Sequence, residues 1–141
     1  MEIYLQKYIK INIVKTYSIK LKGITTMRMW MIDPKLLCRK HLLGESNEIH
    51  KHKHNFEKHH SITGRITPIV LIEPDNMKSR HDELAKEMLS RGYNHQSPYE
   101  QPDLSYLSNN ERYVKVNLNY NIQDLYNRCN ECRERIIKDG I

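Results

Sequence analysis

The stretch Pro34–His60, PKLLCRKHLLGESNEIHKHKHNFEKHH, decides how the rest of the chain is read. Asp33 can cap a helix here, and Pro34 suits the first helical position, where its missing N–H costs nothing. Leu36, Leu37, Leu42, Leu43, Ile49 and Phe56 supply an apolar side. At 100° per residue, His41, Glu45, Glu48 and His52 fall within about 60° of one another on the helix surface. Two carboxylates and two imidazoles on one face can perform acid–base chemistry or hold a metal. A wet polar face is the plainer reading of the same pattern, because charged residues on a helix usually face water. Gly44 weakens the middle of this helix by about 1 kcal/mol relative to Ala.

Outward from this stretch, the 141 residues make one domain by size, with room for a single modest core. The apolar fraction of 38% and mean hydropathy of -0.76 describe a polar but foldable chain. No apolar run approaches the roughly 20 residues of a membrane span, so a membrane partner is not expected. The net charge of +6 favours an anionic partner. Residues 1–26 carry five Lys and one Glu, which leaves only +2 for residues 27–141. All eight His lie in the latter part, six of them between 41 and 60, so this region gains charge as pH drops below about 6.5. Three Cys fit a reducing cytoplasm better than a disulfide scaffold, and a cytoplasmic location is expected.

Residues 1–26 are rich in Ile, Tyr, Val, Thr and Lys, with strand-like composition and no signal-peptide pattern. They read either as an added edge element or as sequence upstream of a true start at Met27. The sharp change of composition at Met27 favours the second. Met27–Ile32, MRMWMI, is a short apolar run leading to Asp33. After His60, Gly64, Pro68 and Pro74 interrupt any helix, and residues 69–72 suit a short buried extended piece. A second helix is predicted from Asn76 to Arg91, with Met77, His81, Leu84, Ala85 and Met88 as its core stripe and Gly92 as a left-handed cap. Residues 93–112 read as a loop held by Tyr93, Tyr99, Tyr106 and Leu107. A last helix is predicted from Asn121 to Lys138, with Ile122, Leu125, Tyr126, Cys129 and Ile136 inward. The expected fold is mainly α: a single compact domain of about three helices with irregular connections.

The metal readings are weak at this level. Cys129-x-x-Cys132 is half of a zinc ribbon, and the only other Cys is Cys38, so the pair reads as two reduced thiols on the last helix. His50, His52 and His54 point in different directions on a helix. A di-metal carboxylate site needs Glu-x-x-His on more than one helix, which is lacking. No metal site is expected.

Arg28, His41–Leu42, Glu45 and Glu48, followed by Arg80, Glu83–Leu84, Glu87, Leu89 and Arg91–Gly92–Tyr93–Asn94, resemble the phage-type pyrimidine-dimer DNA glycosylases, the endonuclease V type of UV-repair enzyme. The resemblance spans roughly residues 27–95. The final third lacks that family's aromatic-rich C-terminus and carries RCNECRERI instead. The resemblance implies a glycosylase with lyase activity in which the α-amine of the first residue attacks C1′ of the damaged nucleotide, displaces the base and forms an imine, with no cofactor. It places Met27 at the nucleophile's position, Glu48 at the catalytic glutamate, His41 at the active-site histidine and Arg28 beside the amine. An α-amine with its ordinary pKa near 7.7–8.0 is partly neutral at cell pH, unlike a lysine. If residues 1–26 are translated, the Met27 nitrogen is an amide. The implied partner is duplex DNA carrying UV damage, bound by a monomer, with Lys51, Lys53, Arg65, Arg80 and Arg91 as candidate phosphate contacts. Two other classes fit the residues: a non-catalytic nucleic-acid-binding domain, and a metal-dependent nuclease using the His/Glu face.

Overall fold

The computed structural model describes residues 27–94 and 97–139, so the reading of residues 1–26 lies outside the described residues. The described part is mainly α, as expected: α1 Arg39–Glu57, α2 Thr63–Ile66, α3 Met77–Ser90, α4 Asn109–Arg112, α5 Leu118–Arg128 and α6 Asn130–Asp139, with 3-10 turns at Pro34–Leu36 and Pro74–Asn76. Two of the three predicted helices differ from expectation, each by a break.

The first break precedes α1. Asp33 does cap, accepting from the Lys35 N–H at 3.0 Å, but the turn it starts ends at Leu36. Leu37 and Cys38 are extended, and the long helix starts at Arg39. In a continuous helix the Cys38 N–H would bond to Pro34. Here it donates to Cys132 Sγ at 3.2 Å, while Arg91 Nη2 donates to the Pro34 and Leu37 carbonyls at 3.1 and 2.7 Å. The groups that a break leaves unpaired are therefore satisfied, as burial requires. The helix ends at Glu57 rather than His60, in a turn with His59 at φ 55.

The second break divides the predicted C-terminal helix. Cys129 is extended (φ -123, ψ 111), separating α5 from α6. Its Sγ accepts from the Cys132 N–H at 3.4 Å and so caps the start of α6. The prediction of two thiols within one helix is corrected accordingly.

α3 matches its predicted span to within a residue at each end. It buries Met77, His81, Leu84 and Met88, while Ala85 is half-buried. Gly92 at φ 82 forms the expected left-handed cap, with Tyr93 N–H donating to the Met88 carbonyl at 2.8 Å. α1 packs on α3, α5 on α6, and both α3 and α6 on the Pro34–Leu36 turn. Met29, Trp30 and Ile32 of the first apolar run lie in the core with Leu42, Ile49, Phe56, Leu84, Ile122 and Leu125. That run is fixed on two sides. The Met29 N–H donates to the Leu71 carbonyl at 2.8 Å, and Asn121 Nδ2 donates to the Trp30 carbonyl at 3.1 Å. Residue 69 lies in a bend and residues 70–72 outside any helix, with Leu71 and Ile72 buried, and no strand is formed among the described residues. Tyr99 and Leu107 are buried and hold the long loop, and Tyr106 bonds to the His60 carbonyl at 2.8 Å.

Candidate active site

The polar face of α1 is not wet. Glu45, Glu48 and His52 are buried and His41 is half-buried, so the plain reading of a solvated stripe fails. A buried charge must find a partner, and the stripe divides into three groups according to the partner each finds.

Glu45 is paired structurally. Arg80 from α3 grips it in a bidentate pair, Nε to Oε2 at 2.6 Å and Nη2 to Oε1 at 2.9 Å. The Arg80 side chain is only 1% exposed. Arg80 is therefore withdrawn as a phosphate contact: its donors are taken up by Glu45 and, through Nη1, by Glu83. Arg91 is corrected on similar grounds, because its guanidinium bonds to Glu87 and to the carbonyls of Pro34 and Leu37.

Glu48 stands in a different setting. Its Oε1 accepts from Arg65 Nη2 at 2.7 Å and from His52 Nε2 at 2.9 Å. Its Oε2 is buried and has no hydrogen-bond partner among the described residues. The same Arg65 Nη2 donates to the Met27 carbonyl at 2.7 Å, so Met27 and Glu48 are two hydrogen bonds apart through one nitrogen. Asn55 Nδ2 approaches His52 Nδ1 at 3.4 Å, and His60 Nδ1 faces Asn55 Oδ1 at 3.1 Å. Burial opposes ionisation of Glu48, but the His52 hydrogen bond and the charges of Arg65, His52 and Lys51 outweigh it and hold the carboxyl below its usual range. Glu48 is thus an anion with one free oxygen. It lines a cavity of about 300 Å³ together with Lys51, His52, Asn55, His60 and Arg65. A larger cavity of about 590 Å³, on another flank of α1 between Arg39, Asn47, His50 and Tyr93, contains none of the four residues expected to act.

Arg28 and His41 form the third group. The Arg28 guanidinium is buried, 3.0 Å from Asp124, bonded to Asn121 Oδ1 at 3.2 Å and 4.4 Å from the Trp30 ring. Trp30 in turn meets His41 edge-on at 5.6 Å. His41 Nδ1 faces Cys38 Sγ at 3.2 Å and Cys132 Sγ at 3.4 Å. Burial, then the charges of Lys40, Arg128 and Arg28, hold this imidazole below its ordinary pKa, only partly offset by Asp124. Neither Arg28 nor His41 bonds to Glu48 among the described residues, and seven helical positions separate His41 from it by about 10.5 Å along the axis. What unites the groups is the chain itself: Met27, held toward Glu48, is followed directly by Arg28.

Of the expected DNA contacts, Lys51 is exposed, Lys53 is half-buried, and Arg65 is partly open beside the cavity. Sequence reasoning placed Arg65 on the DNA and missed its grip on Glu48, which no local pattern announces. It also missed Asp124 as the partner of Arg28, 96 positions away in the chain. The thiols, set aside as half a zinc ribbon, have company after all: donor atoms of Cys38, His41, Cys129 and Cys132 all lie within 4.8 Å of one another.

A family model described as pyrimidine dimer DNA glycosylase matches residues 27–101, just over half of the chain. The match starts at Met27 and takes in Glu48, Arg65 and the whole of α3. No match is found among curated proteins or among solved structures.

Proposed function

For a chain that belongs to the pyrimidine dimer DNA glycosylase family, we propose a glycosylase and AP-lyase reaction on UV-damaged duplex DNA, carried by the α-amine of Met27 and the carboxylate of Glu48. The observation that carries this reading is Arg65 holding the Met27 carbonyl and Glu48 Oε1 on one nitrogen, while Glu48 Oε2 is left free.

The chemistry follows from those positions. A neutral amine at Met27 attacks C1′ of the damaged nucleotide. The glycosidic electron pair leaves with the base, which takes up a proton. Loss of a proton from nitrogen and opening of the sugar ring give an imine between Met27 and C1′. Positive charge develops at C1′ during displacement and on nitrogen in the iminium, and an ionised carboxylate beside it stabilises both. Glu48 is suited to this because its pKa is depressed, and Oε2 has no competing hydrogen bond among the described residues. Withdrawal of a C2′ proton then expels the 3′ phosphate by β-elimination, with Glu48 as the positioned base. Arg65 orients Glu48 and Met27, and His52 holds the second lone pair of Oε1. Arg28, fixed by Asp124 and Trp30, anchors the backbone immediately after the nucleophile. The reaction needs no cofactor. Lys51, Lys53 and Arg65 supply the phosphate contacts, and the protein acts as a monomer.

This mechanism requires Met27 to be the first residue of the active form, since an amide nitrogen has its lone pair delocalised and is not nucleophilic. The test is incision of a duplex containing one cyclobutane pyrimidine dimer. A protein starting at Met27 should cut at the dimer and leave β-elimination ends, and the 141-residue chain should not. Incision ends of hydrolytic type, or equal cutting by both proteins, would refute the proposed reaction.

A further inference from the structure

Two short motifs that the proposed reaction does not use converge in space. Cys38-x-x-His41 spans the start of α1, and Cys129-x-x-Cys132 spans the break between α5 and α6. Cys38 and Cys129 are 91 positions apart in sequence, yet their Sγ atoms are 3.9 Å apart. His41 Nδ1 is 3.2 Å from Cys38 Sγ and 3.4 Å from Cys132 Sγ. We infer that Cys38, His41, Cys129 and Cys132 form a tetrahedral zinc site that ties the C-terminal helix to the start of the catalytic helix.

The distances carry the argument. Zinc binds thiolate sulfur at about 2.3 Å and imidazole nitrogen at about 2.0–2.1 Å, so tetrahedral ligands stand roughly 3.8 Å apart for two sulfurs and roughly 3.5 Å for sulfur and nitrogen. The three separations given above lie within a few tenths of an ångström of those values, and all four donor atoms lie within 4.8 Å of one another. The donor set has the form of a closed structural site, three thiolates and one imidazole, with no position left for water. Soft sulfur ligands in this geometry select zinc over harder divalent ions.

The surroundings fit the charge and the role. Three thiolates, a neutral imidazole and Zn²⁺ sum to −1, and Lys40, Arg128 and Arg28 lie close enough to act on His41 electrostatically. The Cys38 N–H donates to Cys132 Sγ and the Cys132 N–H to Cys129 Sγ, the outer contacts that orient and stabilise thiolate ligands. Both helix breaks fall at members of the cluster: Cys38 and Cys129 are each extended. α6 buries only Cys132 and Ile136, so its apolar anchorage is slight and a metal bond supplies what packing lacks. His41 is then a ligand through Nδ1, and its place on α1 couples the site to the helix that carries Glu48. The inference is independent of the amine chemistry proposed above.

The experiment uses the full chain, expressed without a histidine tag and purified under reducing conditions. Metal analysis should find about one zinc per chain. Replacement by Co²⁺ should give the visible ligand-field bands of a tetrahedral ion and a near-ultraviolet thiolate charge-transfer band. Cys129→Ser, at a half-buried position outside any helix, should weaken zinc binding by more than the roughly 10–100-fold typical of outer contacts. Should that variant fail to fold, stripping zinc from the unaltered chain with a chelator should lower its Tm, and adding back Zn²⁺ alone should restore it. A reduced chain that takes up no Co²⁺ with a thiolate band, a Cys129→Ser protein with unchanged affinity and spectrum, or a Tm indifferent to zinc would each overturn the inference.

Discussion

Replacing Arg80 by Met separates a structural cation from a DNA contact. Arg80 and Glu45 meet in a bidentate pair at 2.6 and 2.9 Å, with side chains 1% and 0% exposed. Met keeps the volume of the Arg80 stem but removes the charge, leaving the Glu45 carboxylate buried and unpaired. Breaking a buried pair from one side costs about 3–5 kcal/mol. In a domain of this size each kcal/mol shifts Tm by about 4 °C, so thermal unfolding should shift down by roughly 12–20 °C. The double change Glu45→Met with Arg80→Met removes both charges and should recover most of the loss, because an apolar pair of similar volume is often as stable as the ion pair. Circular dichroism melts of the three proteins form the assay. DNA binding, measured well below the lowered Tm, should keep its dependence on salt, since no phosphate contact is lost. A Tm shift below about 4 °C for the single change, no recovery in the double one, or a log K against log salt slope shallower by about 0.9 would refute the reasoning.

Glu48→Gln should retain duplex affinity and lose cleavage by roughly 10²–10⁴-fold, as expected for a proton-transfer and charge-stabilising group, checked by single-turnover incision beside a binding titration. With Arg80 and Arg91 withdrawn, Lys51, Lys53 and Arg65 are about three phosphate contacts and predict a salt slope near −2.7; Lys51→Ala should make it shallower by about 0.9. Glu48 also predicts a pH effect. Its folded pKa lies below its ordinary value of about 4.5, so the stability it contributes is fully present above that pH and is lost as pH falls through the lower, folded value. The difference in unfolding free energy between the unaltered chain and Glu48→Gln should therefore be flat above about pH 4.5 and shrink below it, as read from urea titrations.

What was legible in the sequence was what depends on near neighbours. The periodicity of Met77, His81, Leu84 and Met88, with Gly92 after it, gave α3 to within a residue at each end, because stripe and cap are both local. Asp33 and Pro34 announced a helix start truthfully, but not that the turn would stop at Leu36. That stop depends on Arg91 and Cys132, which lie 57 and 94 positions from the residues they hold. The His41–His52 stripe was legible as a pattern and illegible as an outcome, since Arg80, Arg65 and two cysteines decide what each member does. Cys129 looked like the inner face of one helix because periodicity cannot register a single extended residue. An arginine in sequence shows its charge and not its partner, which is why Arg80 and Arg91 were read onto the DNA and Arg65 was not read onto Glu48.

The most direct measurement of the central claim is borohydride trapping on duplex DNA containing a pyrimidine dimer or an abasic site, followed by peptide mapping of the cross-link. A protein beginning at Met27 should give a covalent complex joined at the Met27 nitrogen, and chemical blocking of that amine should abolish it. In the 141-residue chain 26 residues separate the Met1 amine from the Met27 nitrogen, a chain length that at about 3.3 Å per residue can reach tens of ångströms, and trapping should be lost. Equal trapping by the full chain, or a cross-link mapped to a side chain such as Lys35, Lys40 or Lys51, would contradict the account.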